Sequence, residues 1–369
     1  MIPITKPTLP PYEEVEPVIR EIYSSGLITN GKYVRAFEEK VATYLGVQHV
    51  VAAPSCSMGL LVLLSMLPAG SEIVMPSFTF SATYQALLWN GFTARLVDCN
   101  ESCNIDVSQV EQAITPKTTA ILAVHMYGTA TDLEELEAIA LRRNLPLFFD
   151  AAHGFGAKYK DRHLGGFGNA EVFSLGPTKT LPVGEGGLIT TNDENLAKRV
   201  RSACNHGQPP NSLDSTVKSL NGRLEEINAA IGIRVLDDVD HWIAHRQELA
   251  AMYYSQLGDI PGLTFPVVPE YAVSSFKDFC VFVDPEQFGM DRDQLLARLG
   301  KADVQAKRYF HPPIHQLTVA RGHFQGVRLP NTEFKASRVL ALPMYSHITF
   351  DEVSYVCESV LKAHRGGRS

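Results

Sequence analysis

The chain has 369 residues, 45% hydrophobic and 20% charged, and carries a formal net charge of −7. That length can bury a sizeable core in one large and one smaller domain without help from disulfides or metal. The acidic balance, with no long basic run, argues against wide phosphate-backbone binding to nucleic acid.

The first two-thirds alternate helix and strand patterns. Pro11 to Tyr23 reads as a helix opened by proline, with Val15, Val18, Ile19 and Ile22 on one face. Ala36 to Leu45 reads as a second amphipathic helix stopped by Gly46. Short apolar runs follow at His49–Ala53, Glu72–Met75, Ala94–Asp98, Ala120–Tyr127 and Leu145–Asp150. Helix-length segments separate most of them, among them Ser57–Leu67, Thr79–Trp89 and Asp132–Arg143. Buried strands alternating with helices predict a mostly parallel sheet covered on both faces. Two further strands are expected at Glu171–Leu175 and Gly187–Thr191. A long helical stretch then runs from Leu224 towards Leu257, with one break expected inside it. After Pro261 the pattern changes. Phe279–Val283 and Val304–Phe310 read as strands around a helix at Arg292–Leu299, and a last helix covers Asp351–His364. The expectation is an α/β fold: a large domain over residues 1–240 and a smaller α+β domain over 241–369.

The six cysteines (Cys56, Cys99, Cys103, Cys204, Cys280, Cys357) show no framework spacing, and no second pair joins Cys99 and Cys103 to make a zinc set. The stretch Met1 to Pro7 has no apolar signal core, and Leu60 to Leu67 is far too short to cross a bilayer. A reducing cytoplasm is the expected location, with no membrane partner and no metal.

Familiar signatures are missing. Gly176-Pro177-Thr178-Lys179-Thr180 has the wrong spacing for a phosphate loop, and no G-x-G-x-x-G follows the first strand. Neither G-x-S-x-G nor H-E-x-x-H occurs. Attention therefore turns to strand ends, where open α/β sheets collect functional groups. Asp150 closes the apolar run Leu147-Phe148-Phe149, and His153 follows three residues later. Lys179 lies just past a second buried run, in a turn that continues into Gly184-Glu185-Gly186-Gly187. Lysine is the cation whose pKa falls on desolvation, which makes it a usable amine nucleophile for carbonyl carbon. Pro54-Ser55-Cys56-Ser57-Met58-Gly59 opens a helix, where free N–H groups favour a phosphate. Each feature has a plainer reading: a capping aspartate, a polar loop histidine, an exposed loop lysine, a serine N-cap. Together they are the parts that hold pyridoxal phosphate: an imine-forming lysine, a carboxylate for the pyridine nitrogen and a cradle for the phosphate.

The chain resembles the sugar aminotransferases of the DegT/DnrJ/EryC1/StrS group, which have the aspartate aminotransferase-like fold type I of pyridoxal-phosphate (PLP) enzymes. The ordered matches include Gly26-Leu27-Ile28-Thr29-Asn30-Gly31, Pro76 to Thr83, Val124-His125-Met126-Tyr127-Gly128, Asp150-Ala151-Ala152-His153, Phe173-Ser174, Lys179, Gly184 to Gly187, Asn205-His206-Gly207, Asn221-Gly222-Arg223, Ala229-Ala230-Ile231-Gly232 and Leu342-Pro343-Met344. The resemblance implies Lys179 as the Schiff-base lysine, Asp150 paired with the pyridinium nitrogen and His153 beside the phenolic oxygen. It implies phosphate binding by Ser174, Ser57 and the Met58 backbone, and Phe80 stacked on the ring. Asn221 matches a residue that reaches the phosphate from the partner subunit, which implies a homodimer with shared sites. Tyr309, Phe310 and His315 fall in a segment resembling one that lines the sugar side. Two departures stand out: Ser55-Cys56-Ser57-Met58 replaces a common Gly-Thr pair, and Gly222 stands where an aromatic is common.

The implied reaction moves an amino group from L-glutamate to a keto sugar, nucleotide-linked in the expected case. A sugar dehydratase on the same fold is the nearest rival, but that branch places histidine where this chain has Lys179. A non-catalytic PLP-binding regulator is the other rival, and intact Asp150, His153, Ser174 and Lys179 argue against it.

Overall fold

A computed structural model describes residues 1–209 and 211–366. α1 (Tyr12–Ser25) starts after Pro11 and ends at Gly26, and α2 (Lys32–Leu45) ends at Gly46. Both terminal glycines are left-handed (φ 68° and 69°), the conformation glycine adopts without steric cost. On α1 only Val15 and Ile22 of the expected apolar face are fully buried.

Seven strands form the main sheet: β1 (His49–Ala53), β2 (Glu72–Pro76), β3 (Thr93–Val97), β4 (Thr118–Val124), β5 (Leu147–Asp150) and, beyond a short ribbon of β6 (Lys158–Tyr159) and β7 (Arg162–His163), β8 (Ala170–Ser174) and β9 (Gly187–Thr191). Their spatial order is β1-β9-β8-β5-β4-β2-β3. Every pairing from β3 through to β8 is parallel, while β9 runs antiparallel to both its neighbours. The intervening helices are α3 (Cys56–Leu64), α4 (Ser81–Asn90), α5 (Val107–Ala113), α6 (Leu133–Arg143) and, after β9, α7 (Glu194–Ala203).

The sheet is covered on both faces, and its side chains divide with the period of two that a pleated strand dictates. Ile121 and Ala123 of β4 join Phe37, Val41, Phe149 and Phe173 in one core. Ala120 and Leu122 join Leu60, Leu63, Leu87 and Val172 in the other. Burying each large side chain contributes roughly 1.5–3 kcal/mol, so a charged group among them is there against a strong bias.

The long helical stretch breaks at Asp238, between α8 (Glu226–Asp237) and α9 (Val239–Leu257). α9 links two cores: Val239 and Ile243 pack with the large sheet, whereas Leu249, Tyr253 and Leu257 pack with the C-terminal part. That part holds β10 (Leu263–Thr264), β11 (Ala272–Val273, paired with β6), β12 (Phe279–Val283), α10 (Pro285–Phe288), α11 (Arg292–Lys301), α12 (Pro330–Arg338), β13 (Val339–Leu342) and α13 (Phe350–Arg365). β10, β12 and β13 form a small antiparallel sheet.

One expectation fails here. Residues 304–310 form no ladder strand and make only single bridges, Ile2 to Val304 and Lys307 to Ala341. Pro312 and Pro313 follow directly, and residues without an N–H cannot extend a ladder. Among the described residues no helix is long and apolar enough to cross a membrane.

Candidate active site

The main sheet delivers its functional groups at one edge. Asp150 is the last residue of β5, and its neighbour β8 ends at Ser174 beside it. The Asp150 side chain is only 4% exposed, yet among the described residues no salt bridge neutralises it. Its Oδ2 accepts from Thr83 Oγ1 at 2.7 Å and its Oδ1 from the Ala152 N–H at 3.1 Å. Thr83 lies in the first turn of α4 and also touches Thr79 Oγ1 at 2.9 Å, which fixes its rotamer. Burial pushes the Asp150 carboxyl up, while the hydrogen bonds from Thr83 and the Ala152 amide, and then the Lys179 charge, pull it back. The result is an anion held in a nearly dry place, suited to a cationic partner.

Lys179 follows β8 in a tight turn, its N–H donating to the Gly176 carbonyl at 3.0 Å. Its side chain is half-buried, and among the described residues its amine has neither a hydrogen-bond nor an ion-pair partner. Burial first, and then the nearby Lys277 cation, bring its pKa down to about 8, against the pull of Asp278, Cys56 and Asp150. A lysine in this state is a poised nucleophile rather than a solvating group.

His153 is buried, and its Nδ1 accepts the Tyr127 N–H at 3.3 Å. Burial, with the Lys179 and Lys277 cations, holds the imidazole well below its usual pKa. The neutral ring therefore carries its proton on Nε2, which is left as a donor. Its faces are aromatic: Phe310 stacks at 5.8 Å and Tyr127 at 6.5 Å between centroids.

The cradle is the start of α3. Ser55, not Ser57, is its N-cap, and Ser55 Oγ takes the Met58 N–H at 3.1 Å. The Met58 N–H is thereby occupied, the Ser57 hydroxyl is exposed, and Ser174 Oγ accepts the Gly176 N–H at 3.4 Å. Gly187 makes the approach possible: a Cβ there would lie 2.5 Å from the Ser55 carbonyl carbon and 2.6 Å from the Cys56 nitrogen. Cys56 Sγ rests 3.8 Å from Asp150 Oδ1 and 3.5 Å from the Val172 carbonyl, tying cradle to carboxylate.

Phe80 is 54% exposed, unusual for a phenylalanine, and its ring lies 5.5 Å from Phe310. Tyr309 is held through its carbonyl by the Tyr127 hydroxyl. His315 stands elsewhere: its Nδ1 shares a proton with Ser77 Oγ at 2.7 Å and its Nε2 is 3.4 Å from Glu333, so it ties the segment to the sheet. Asn221 is exposed and accepts from Arg223 Nε at 3.0 Å, and among the described residues it makes no hydrogen bond to Lys179, Asp150 or Ser174. A cavity of about 940 Å³ lies beside that segment, lined by Asn30, Arg35, Arg201, Asn205 and Arg223 among others. It contains neither Lys179 nor Asp150, so volume alone does not find this chemistry.

Sequence reasoning gave no role to Thr83, Tyr127, Lys277 or Asp278. Lys277 and Asp278 were visible as a charged pair placed directly before the apolar run Phe279–Val283.

The donor set fits pyridoxal phosphate. An unpartnered amine suits its aldehyde, a buried unpaired carboxylate its ring nitrogen, and a helix start with two hydroxyls its phosphate.

Comparison with known proteins agrees. The model of the DegT/DnrJ/EryC1/StrS aminotransferase family matches residues 12–361. A dTDP-4-amino-4,6-dideoxy-D-glucose transaminase of Escherichia coli is 33% identical over 365 residues, covering 98% of both chains. The structure of DesI, solved in the presence of its TDP-sugar product, superposes with a TM-score of 0.91 at 33% identity, covering 98% of this chain and 93% of that one. NtdA of Bacillus subtilis, solved with bound cofactor PMP, gives 0.88 at 30% identity, over 96% of this chain and 82% of that one.

Proposed function

Because the chain belongs to the DegT/DnrJ/EryC1/StrS aminotransferase family, we propose that it transfers the amino group of L-glutamate to the keto carbon of a nucleotide-linked sugar. It is an aminotransferase of amino-sugar biosynthesis with the fold of the PLP-dependent sugar aminotransferases. The observation that carries the residue assignment is Lys179: a half-buried amine without a partner, electrostatically coupled to Asp150.

Pyridoxal phosphate, when bound, supplies an aldehyde carbon that accepts an amino group and a ring that delocalises the electron pair freed at the adjacent carbon. Lys179 Nζ would hold that aldehyde carbon. As a neutral amine, Lys179 Nζ would move a proton at the donor's α-carbon. Asp150 would keep the proton on the ring nitrogen, its own charge fixed by Thr83 and the Ala152 amide. His153 would donate Nε2–H to the phenolic oxygen. Ser57, Ser174 and the first amides of α3, with the Met58 backbone once released from Ser55, would bind the phosphate, and Phe80 would lie flat on the ring.

Asn221 belongs to the same reading. Its exposure, and the absence of a hydrogen bond to the other proposed phosphate groups among the described residues, support a homodimer in which Asn221 of the partner subunit completes each site. Tyr309 and Phe310 would line the sugar side, with His315 holding their segment in place. Residues 1–240 would then form the cofactor-binding domain and 241–369 the smaller one, residues 367–369 lying outside those described. Six free, buried cysteines support a reducing cytoplasm as the location.

The test is spectroscopic. The protein loaded with PLP should lose its visible band on adding L-glutamate, with one 2-oxoglutarate released per site. Nucleotide-linked keto sugars should then restore the band. A protein that binds PLP yet shows neither change under any donor would end the proposal.

A further inference from the structure

α2 begins on a residue that cannot cap it. Gly31 stands at the N-cap position and has no side chain to accept the free amides of the first turn. Glu226, 195 residues away in the chain, caps the helix instead. It is 1% exposed, and its Oε1 accepts the Gly31 and Val34 amides at 2.8 and 2.9 Å while its Oε2 accepts the Tyr33 amide at 2.9 Å. The helix dipole favours an anion at this end. The close approach needs glycine, because a Cβ at Gly31 would lie 2.5 Å from Glu226 Oε2. The backbone of Glu226 joins in: its N–H donates to the Ile28 carbonyl at 2.9 Å, next to a bridge between Thr29 and Glu225. A serine or aspartate at position 31 would cap α2 locally. A carboxylate from the start of α8 does something more, since it fastens α8 to α2.

Asn221 lies just before this junction. It bridges to Asn205, and the Gly222 N–H donates to the Cys204 carbonyl at 2.8 Å. Residues 221–225 are thus a short link, tied at one end just past α7 and at the other by Glu225 and Glu226, with Leu224 buried between. We propose that Glu226 is a positioning residue: by fastening the far end of this link to the start of α2, its carboxylate sets where Asn221 is presented to the phosphate site of the partner subunit. The inference rests on the shared-site reading of Asn221 given above. It is directional. A change at Glu226 harms the site on the partner and spares the site on its own chain, whereas a cap that only stabilised α2 would harm its own chain's site or both sites alike.

The test uses heterodimers purified through two different affinity tags. A chain carrying Lys179→Ala cannot form the imine band, so the band reports one site only. In the first arrangement Glu226→Gln lies on the Lys179→Ala chain and the other chain is unaltered. Titration of the visible band with PLP should show about tenfold weaker binding than in the heterodimer without the glutamate change, as expected when a hydrogen bond to a charged group is impaired. In the second arrangement Glu226→Gln lies on the chain that keeps Lys179, and the affinity should be unchanged. Gly31→Ala pushes the same carboxylate aside while leaving its charge in place. It should give the same pair of results, and it carries the test if Glu226→Gln does not fold. A loss in the second arrangement, an equal loss in both, or no change in either would overturn the proposal. Asn221→Ala in the same two arrangements tests the reading beneath it. A loss confined to its own chain's site, or a chain that forms no dimer, would end the shared site and the role of Glu226 with it. If Asn221→Ala acts across the interface while Glu226→Gln and Gly31→Ala do not, only the role of Glu226 falls.

Discussion

The two walls of the site are built differently. On the sheet side, Asp150 and Ser174 end adjacent parallel strands whose registers are set by backbone hydrogen bonds, Asp150 opposite Val172. On the C-terminal side, Tyr309 and Phe310 lie in a segment without ladder pairing. Side chains hold it: Tyr127 on the Tyr309 carbonyl, His315 between Ser77 and Glu333, Asp98 accepting the Asn331 and Thr332 amides at the start of α12. Groups proposed to hold the cofactor sit on or just past the rigid ladder, and groups proposed to meet the sugar sit where a few side-chain changes can repack the backbone. The contrast predicts that sheet-side changes damage both halves of the reaction, and C-terminal changes mainly the sugar half.

The largest expected effect is at Lys179. Lys179→Ala should lower turnover by about 10³-fold or more and remove the visible band, in both the glutamate and the sugar half-reactions. Next comes Asp150→Asn, which removes the anion that would hold the ring nitrogen protonated. A nearby opposite charge moves a pKa by 1–3 units, so the glutamate half-reaction should slow roughly 10- to 1,000-fold. Either variant sparing one half-reaction would break the contrast between the walls.

Thr83→Val sharpens it. The hydroxyl that donates to Asp150 lowers the pKa of that carboxyl, so its loss lets burial raise it further. In the proposed role Asp150 acts as the anion, so activity depending on it should disappear as pH falls through its pKa. The acid limb of the glutamate half-reaction should therefore move to higher pH, with about tenfold lower rate near neutrality, as expected for a hydrogen bond to a charged group. An unmoved acid limb would show that Thr83 serves only packing.

The contrast also explains what could be read in advance. The main-sheet strands follow buried apolar runs, and His49–Ala53 and Gly187–Thr191 fall where those runs lie, because sheet burial is written in consecutive residues. Asp150 was visible because a charge closing such a run is conspicuous, and Lys179 because it lies in the Gly/Pro-containing turn just past one. α7 went unread although Asp193 caps it through the Asn195 and Leu196 amides, since its apolar positions are few. Residues 304–310 look like a strand in isolation, and only the position of β13 and the prolines beyond decide otherwise. The contacts of Lys277 and Asp278 could not be read from sequence because they are made with Tyr127 and His153, more than a hundred residues away.

The smallest effect is expected at Phe310. Its ring meets His153, Tyr127 and Phe80, yet its backbone belongs to the side-chain-held segment. Aromatic pairs contribute about 0.5–1.5 kcal/mol beyond the area they bury, so Phe310→Ala should cost about 2- to 10-fold. That loss should appear in the KM for the sugar, because the segment is proposed to face the acceptor, while the glutamate half-reaction keeps its rate. Stopped-flow measurement of the two halves separates these outcomes. If the glutamate half slows as much as the sugar half, Phe310 positions His153 rather than the sugar, and the two walls are one mechanical unit.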